Sequence, residues 1–319
     1  MKKIIMILAL FLSISVINFA QENQQDNSAN LYTFFVNIAG EQFRYPLIGF
    51  VNIASGNHDL PQIGYFNWNR NDFSTLQSGF VNTVCGDMEG LQMGFVNTVV
   101  KSFRGGQIGF VNTAAGEEAS GLQIGFVNTA INRFNGAQLS FVNITKQLNG
   151  MQIGIVNYTD SIEQGIPIGL LSIVRNGGYK AVELGVSEIS PFNSSFKIGV
   201  ERFYTSFTVS HNPFRDDNRE QIICGTGLGS IIQLGEMFYL NPEITSHYAA
   251  IGNFQHYVSI VPYFGYNILS GLSIVAGPSV VWAYSDKGIK SPFYKIIECP
   301  INDENKLYFG ARMALRFRW

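Results

Sequence analysis

The chain has 319 residues, of which 46% are hydrophobic and 14% are charged, with 33 Gly and 26 Phe. Soluble domains usually carry about 25% charged residues, so this composition departs from that of an ordinary soluble domain. The formal net charge of −2 excludes the basic surface that a nucleic-acid partner would require.

The N-terminus predicts export. Lys2 and Lys3 are followed by an apolar run over residues 4–19 and by a small residue, Ala20. These are the three parts of a signal peptide, residues 1–20, with cleavage expected near Ala20. A membrane-anchoring helix is the alternative, but no stop-transfer charges follow the run. Residues 21–30 form a polar segment, and no later apolar run is long enough for a transmembrane helix. An exported chain of this kind fits a β-barrel, and its composition also fits a secreted β-solenoid.

Residues 31–175 form a repeat region with a period of 15 residues. The pattern Gly-Phe-Val-Asn or a close variant recurs, and its signature asparagines are Asn37, Asn52, Asn67, Asn82, Asn97, Asn112, Asn128, Asn143 and Asn157. Phe, Val, Ile and Thr favour strands, and Gly-rich polar segments separate the units. Each unit is therefore predicted to be one strand and one turn.

Two architectures can use such a unit. In a solenoid the units stack in parallel, whereas in an antiparallel meander successive units run in opposite directions. Alternate connections contain Phe with Arg, as in Phe103 and Arg104, and those between them contain Gly with an acid, as in Gly86 and Asp87. A period of about 30 residues superimposed on the shorter one favours hairpins, and therefore the meander. A solenoid with two units per coil could also produce it.

The signature asparagines do not fit a lipid-facing strand well. In the segment 122–128, alternation places Leu122, Ile124, Phe126 and Asn128 on one face. A buried amide without a partner costs a few kcal/mol in hydrocarbon. The asparagines could lie near a rim, beside a bulge, or as a ladder inside a solenoid, and the sequence leaves these alternatives open.

Residues 176–319 have the alternation of membrane strands. From Leu307 to Trp319 every second residue is apolar, and the residues between them include Arg312, Arg316 and Arg318. An apolar face opposite three arginines indicates lipid outside and water inside a barrel. Further strands are predicted around 182–186, 196–201 and 257–265, and at 220–233, 236–248 and 271–284. Pro262 and Pro278 predict bulges, because proline cannot donate to a strand ladder.

Three features resemble known families. The aromatic C-terminus at Trp319 resembles the recognition strand of outer-membrane barrel proteins, and segments 239–244 and 271–278 look like those of the same families. The GxQxGxxN units look like a bacterial surface-repeat family of largely unknown function. The resemblance implies the outer membrane as location, its lipid as surroundings, and the barrel-assembly machinery as a partner that binds the C-terminal strand.

The fold class is predicted to be all-β, and the strand count decides the function. If the repeats join one antiparallel transmembrane barrel, it has roughly 16–18 strands and can enclose an aqueous channel. The function is then a passive pore for small solutes. The alternative is an N-terminal β-solenoid followed by a barrel of about eight strands, which side chains would fill. The function is then that of a surface-exposed structural or adhesive repeat protein anchored by a small barrel.

The candidate site is a set of charged residues on the predicted inward face of the barrel. Arg312, Arg316 and Arg318 could line a lumen and favour anions. Alternatively, they pair with Glu183 or Glu201 and fill a small barrel. This second interpretation is favoured.

Other chemistry has no support in the sequence. The four histidines, His58, His211, His247 and His256, have no zinc-binding spacing, and no nucleophile motif is present. No enzyme activity, cofactor or metal is predicted, and no ligand is identified. Cys85, Cys224 and Cys299 are too scattered to predict a disulfide framework, although one bridge is possible.

Overall fold

The computed structural model describes residues 31–41, 43–214, 221–249, 255–285 and 293–319. The predicted signal peptide and the polar segment 21–30 lie outside these residues. All regular structure in the described ranges is β, as predicted from the sequence. Within these ranges, no helix has the length and hydrophobicity needed to cross a bilayer. The chain divides into two compact units between Gly165 and Ile166.

The repeat region forms parallel stacks of strands. Its strands are β1 Leu31–Tyr32, β2 Val36–Ala39, β3 Leu47–Ile48, β4 Val51–Ala54, β5 Gln62–Ile63, β6 Phe66–Asn69, β7 Phe73–Ser78, β8 Val81–Val84, β9 Met88–Val99, β10 Phe103–Ala114, β11 Glu118–Ile124, β12 Val127–Leu139 and β13 Val142–Asn176. Apart from the antiparallel pair β1–β2, these strands pair in parallel, and each signature asparagine lies opposite the next. The repeats are therefore a β-solenoid.

The favoured antiparallel meander of roughly 16–18 strands was wrong, and the alternative solenoid with a small barrel is confirmed. Consecutive connections lie beside each other, since the Asp87 amide donates to Asp72 Oδ1 (2.9 Å) and the Ser102 amide to Asp87 Oδ1 (3.0 Å). In a meander these connections would lie at opposite ends of the strands. The alternation of Phe with Arg and Gly with acid is therefore not a mark of hairpins.

The side chains of the solenoid alternate between its interior and its surface. We call residues 90–99 and their equivalents the repeat unit, and residues 100–104 and their equivalents the connector. In the unit 90–99 and the connector before it, Met88, Gln92, Asn97 and Val99 are buried, and the residues between them point outward. The interior therefore has an apolar part beside the connectors and an amide part beside the Gly-Phe turn.

A column of glycines allows the coils to approach closely. Gly90, Gly105 and Gly121 have φ of 149°, 138° and 126°, a region that L-residues rarely adopt. A Cβ added at Gly105 would overlap the carbonyl oxygen of Gly90 in the preceding coil. Thr75 occupies the same column with φ of 112° and is the only non-glycine residue with positive φ in the described ranges.

This column predicts one destabilising and one stabilising substitution. Gly105→Ala should destabilise the solenoid by more than about 2 kcal/mol, since it adds strained backbone to an overlap. Thr75→Gly should stabilise it by about 1 kcal/mol, because it relieves an unfavourable φ. Urea unfolding of the repeat region measures both changes. Equal effects of the two substitutions would contradict the assignment of strain to this column.

The second unit is a closed antiparallel barrel. Its eight wall strands are β14 Tyr179–Val186, β15 Phe192–Val200, β16 Phe203–His211, β17 Ile222–Gly229, β19 Phe238–Ala249, β20 Gln255–Leu269, β21 Leu272–Ser285 and β23 Asn305–Arg318. Two short strands, β18 Ile232–Gln233 and β22 Ile297–Pro300, extend the wall beside β19 and β23. Closure comes from the pairing of β14 with β23, which places Glu183 opposite Arg316.

The predicted alternation of the last strand is confirmed. Tyr308, Arg312 and Arg316 are buried in the barrel, whereas Met313 and Leu315 are exposed on its outside. No bulge occurs at Pro262 or Pro278; the pairing of their two strands is instead interrupted there. Pairing of β20 with β21 stops after Ile260↔Val280 and resumes at Phe264↔Ala276 without a change of register.

Candidate functional site

The barrel interior contains a network of buried charged side chains. Arg316 donates from Nε to Glu183 Oε2 (2.7 Å) and from Nη2 to Asn241 Oδ1 (2.6 Å). Lys197 Nζ lies 3.1 Å from the same Glu183 oxygen and also contacts Glu243. The Tyr204 hydroxyl donates to Glu243 Oε2 at 2.7 Å. Such a network can be stable because each buried charge has an opposite charge and hydrogen bonds.

Arg312 belongs to a second cluster in the same interior. Its Nε donates to Glu188 Oε1 (2.8 Å) and its Nη2 to Ser259 Oγ (2.6 Å), while Ser279 Oγ donates to Glu188 Oε2 (2.9 Å). Glu188 comes from the five-residue link between β14 and β15, and it is fully buried. Three cations, Lys197, Arg312 and Arg316, thus face three carboxylates, Glu183, Glu188 and Glu243.

Two clusters of buried aromatic and aliphatic side chains fill the interior around this network. One cluster packs among the charged groups and contains Tyr179, Tyr204, Tyr239, Val261, Tyr263 and Val275. The other lies toward the longer links and contains Ile189, Ile223, Tyr257, Val281, Ala283 and Tyr308. A cavity of about 30 Å³ remains beside Glu183, His247 and Arg312, enough for one or two waters. The described side chains therefore fill the interior, as expected for eight strands.

The five predicted site residues fall into two places. Arg312, Arg316 and Glu183 lie in the buried network, whereas Arg318 and Glu201 lie at the rim, with Arg318 Nη1 3.6 Å from Glu201 Oε1. Sequence reasoning missed Glu188, Lys197 and Glu243. Lys197 and Glu243 alternate with apolar residues on their strands, so strand alternation could have identified them. Glu188 lies in a link, where alternation gives no information.

Two amide ladders fill the other half of the solenoid interior. The signature asparagines donate from Nδ2 to Oδ1 of the next asparagine at 2.7–3.1 Å, for example Asn97 to Asn112. A parallel ladder of glutamines, Gln62, Gln77, Gln92, Gln107, Gln123, Gln138 and Gln152, donates from Nε2 to Oε1 of the preceding one at 2.6–2.8 Å. Their second amide protons donate to backbone carbonyls, as from Asn97 to Ile108 O at 3.0 Å. The asparagines are buried and hold the coils together, so they are closed to a ligand.

The outward side of the repeats carries a continuous row of stacked rings. We call it the aromatic ridge, and it consists of Phe50, Tyr65, Phe80, Phe95, Phe110, Phe126 and Phe141. Neighbouring ring centroids are 4.8–5.0 Å apart, and most planes are within 5° of parallel. Ile155 continues the row, and a second apolar column, with Ile63, Met93, Ile108, Ile124 and Ile153, lies beside it.

Burial of His58 in the solenoid makes its titration a test of packing. Desolvation lowers the pKa of His58 from its ordinary 6.5, an effect that nearby Asp59 opposes. The unfolded chain therefore binds a proton at this residue at higher pH than the folded chain. We expect the stability of the repeats to be full above about pH 6.5 and to fall below it. Urea midpoints from pH 5 to 8 measure this slope, and His58→Phe should reduce it. An unchanged slope in the variant would contradict the assignment.

Among the polar groups of the described residues, a serine–histidine contact resembles a catalytic pair. Ser246 Oγ lies 2.8 Å from His256 Nε2 on the outside of the barrel. A serine nucleophile also needs donors for an oxyanion, and the amides of β19 and β20 are used in strand pairing on both sides. All three cysteines are free thiols. In the described ranges, no three His, Cys, Asp or Glu side chains converge as a metal site.

Comparison with known proteins gives no relative. No protein-family model, no curated protein and no solved structure matches this chain.

Proposed function

We propose that this chain is a bacterial outer-membrane protein in which the eight-stranded barrel is the membrane anchor and the solenoid is a structural or adhesive array. The observation that carries this proposal is the distribution of polarity in the barrel. Its interior holds paired charges, whereas its outside exposes large apolar side chains: Leu184, Phe196, Val209, Leu228, Ile244, Ile260, Phe264, Ile274, Met313, Leu315 and Phe317. This is the reverse of a water-soluble barrel and suits a hydrocarbon environment.

The filled interior favours an anchor over the passive pore. A neutral set of paired charges, packed together with two clusters of buried hydrophobic side chains, offers neither a path for solutes nor a preference for anions. In planar bilayers we therefore expect the purified, folded protein to produce no single-channel conductance. Stepwise, anion-selective conductance would support the pore instead.

The connections of the barrel suggest its orientation. At one end, β15–β16 and β20–β21 are joined by two residues each and β17–β19 by residues 230–237, whereas at the other end the links span residues 187–191, 212–221, 250–254 and 286–304, which include the two longest. Outer-membrane barrels have short periplasmic turns and longer extracellular loops. Since β14 starts and β23 ends at the short-turn end, we propose that the chain enters the barrel from the periplasmic side. The repeats would then be periplasmic, which revises the expectation of a surface-exposed array.

Single-cysteine labelling in intact cells tests both the anchor and the orientation. The variants Asp303→Cys, in the longest link, Ser270→Cys, in a short turn, and Ser102→Cys, in a connector, are made on a background without native cysteines. A membrane-impermeant maleimide should label only position 303 in intact cells, and all three after the outer membrane is permeabilised. Labelling of position 102 in intact cells would instead show that the repeats are exposed at the cell surface. Recovery of the protein in the soluble fraction would reject the anchor.

The C-terminal strand supports a proposed assembly route. Trp319 is exposed on the outside, next to the strand that closes the barrel. We propose that the barrel-assembly machinery recognises this strand.

A further inference from the structure

The repeats carry charge on one side only. Between residues 45 and 174, no repeat unit contains Asp, Glu, Lys or Arg, and every charged residue lies in a connector. The connectors lie beside each other at one edge of the solenoid, as the Asp72–Asp87–Ser102 contacts show. The Gly-Phe turns form the opposite edge. The solenoid is therefore amphipathic around its circumference, in every coil that has a repeat unit.

The uncharged edge exposes large side chains rather than small ones. Phe95, Phe110 and Phe126 of the aromatic ridge are 42–45% exposed, and Met93 and Ile108 beside them are 42% and 39% exposed. Soluble monomers rarely leave a continuous apolar surface of this length uncovered. Backbone groups here are paired with the neighbouring coils, as from the Phe126 amide to Phe110 O at 3.0 Å. The edge can therefore meet hydrocarbon without unpaired polar groups.

Residues 168–170 of the last repeat unit lie against the outer wall of the barrel, within the second compact unit. Thr205 points outward from β16, is 2% exposed, and donates to Gly169 O at 2.8 Å. Ile168 and Leu170 line a largely apolar depression together with outward side chains such as Leu228 and Ile244. In the repeat pattern, Leu170 has the position that Phe110 and Phe126 have in their units. In this unit the ridge position of the repeat therefore lies on a surface that, under the proposed function, is in contact with lipid.

From these three observations we infer that the aromatic ridge and its neighbouring apolar column bind the lipid surface that holds the barrel. The inference rests on the proposed function. The Phe and Ile side chains enter the boundary between headgroups and acyl chains, and the charged connectors stay in water, as in interfacial amphipathic elements. The repeats are thereby a membrane-bound array rather than a freely extended one.

Depth-dependent quenching tests this inference on the full chain. Phe110→Cys, Arg104→Cys and Leu315→Cys are each made on the background without native cysteines, labelled with an environment-sensitive fluorophore, and reconstituted in phosphatidylethanolamine–phosphatidylglycerol vesicles. We expect a spin label on the acyl chains to quench the probes at positions 110 and 315. Aqueous iodide should quench the probe at position 104 alone.

The barrel position separates failure of the inference from failure of the anchor. If the probe at 315 is quenched from the lipid and the probe at 110 by iodide, the ridge is in water and the inference is overturned. If the probe at 315 is not quenched from the lipid, the proposed anchor fails, and the inference fails with it. Energy transfer between copies labelled at 110, without quenching from the lipid, would assign the ridge to a second copy of the chain and overturn the inference.

A charge on the ridge gives an independent variant. With the probe at Ile124→Cys, Phe110→Lys should reduce quenching from the lipid by at least half, because an ammonium group opposes insertion. The matched substitution Arg104→Lys should leave it unchanged. Trypsin resistance of the repeats checks that both variants fold. Equal lipid quenching in a folded Phe110→Lys variant would overturn the inference.

Discussion

Replacing Arg316 with alanine is expected to lower the free energy of unfolding of the barrel by about 3–5 kcal/mol, because it leaves buried carboxylates without their full set of cations. Two cations would then face Glu183, Glu188 and Glu243, and Asn241 Oδ1 would lose the shorter of its two hydrogen bonds. Urea unfolding in vesicles, followed by tryptophan fluorescence and by the mobility of the folded band on gels, measures the change.

The matched control is Arg318→Ala at the rim. Its 3.6 Å contact with Glu201 is partly exposed, so the loss should stay within about 1 kcal/mol. The double variant Arg316→Met/Glu183→Gln restores the balance of charges and should recover part of the lost stability. Equal effects of the two arginine substitutions would show that the network does not support the barrel.

Asn97→Ala should be the most damaging single truncation among the signature asparagines, at about 2–4 kcal/mol, since it interrupts the ladder in the middle of the stack. Asn97 donates to Asn112 Oδ1 at 2.8 Å and to Ile108 O at 3.0 Å, and it accepts from Asn82 at 2.8 Å. All of these groups are buried in a region without charge. Their desolvation is uncompensated once the amide is gone.

An isosteric variant separates hydrogen bonding from volume. Asn97→Asp keeps the shape but cannot donate, and its charge faces two acceptors, so at neutral pH it should destabilise the repeats at least as much as alanine. Thr98→Ala, on the outside of the same strand, is the control and should change stability by less than about 0.5 kcal/mol. Urea midpoints of the repeat region measure all three. A wild-type midpoint for Asn97→Asp would contradict the ladder.

The limits of the sequence are clearest in the repeats. Strand propensity and a period of 15 residues identify each unit. Neither of them shows whether neighbouring strands pair in parallel or antiparallel. Asn128 was the better guide, because a buried amide in every unit needs hydrogen-bond partners, and parallel stacking in register places an identical amide beside each one. The alternating connectors, such as those with Gly86 and Arg104, predict hairpin ends, and this prediction was wrong.

The barrel was more predictable because its strands alternate between polar or charged side chains in the interior and apolar side chains on the outside. Arg312 and Arg316 could be placed inside from their strand alone. Their partners could not all be found in this way, since Glu188 reaches the interior from a link whose course depends on the folded barrel. Glu201, predicted as an inward partner, lies at the rim beside Arg318 because a two-residue turn ends its strand.

The two amide ladders run in opposite directions along the solenoid. Asparagine donors point toward the C-terminus and glutamine donors toward the N-terminus, as in Asn97 to Asn112 and Gln107 to Gln92. Their dipoles therefore largely cancel, so adding or losing a coil changes the macroscopic polarity of the stack very little. An array with this property has no electrostatic limit on its length. The number of coils is then free to vary by duplication or deletion of whole units, and the ends of the array are set by the residues that close the ladders.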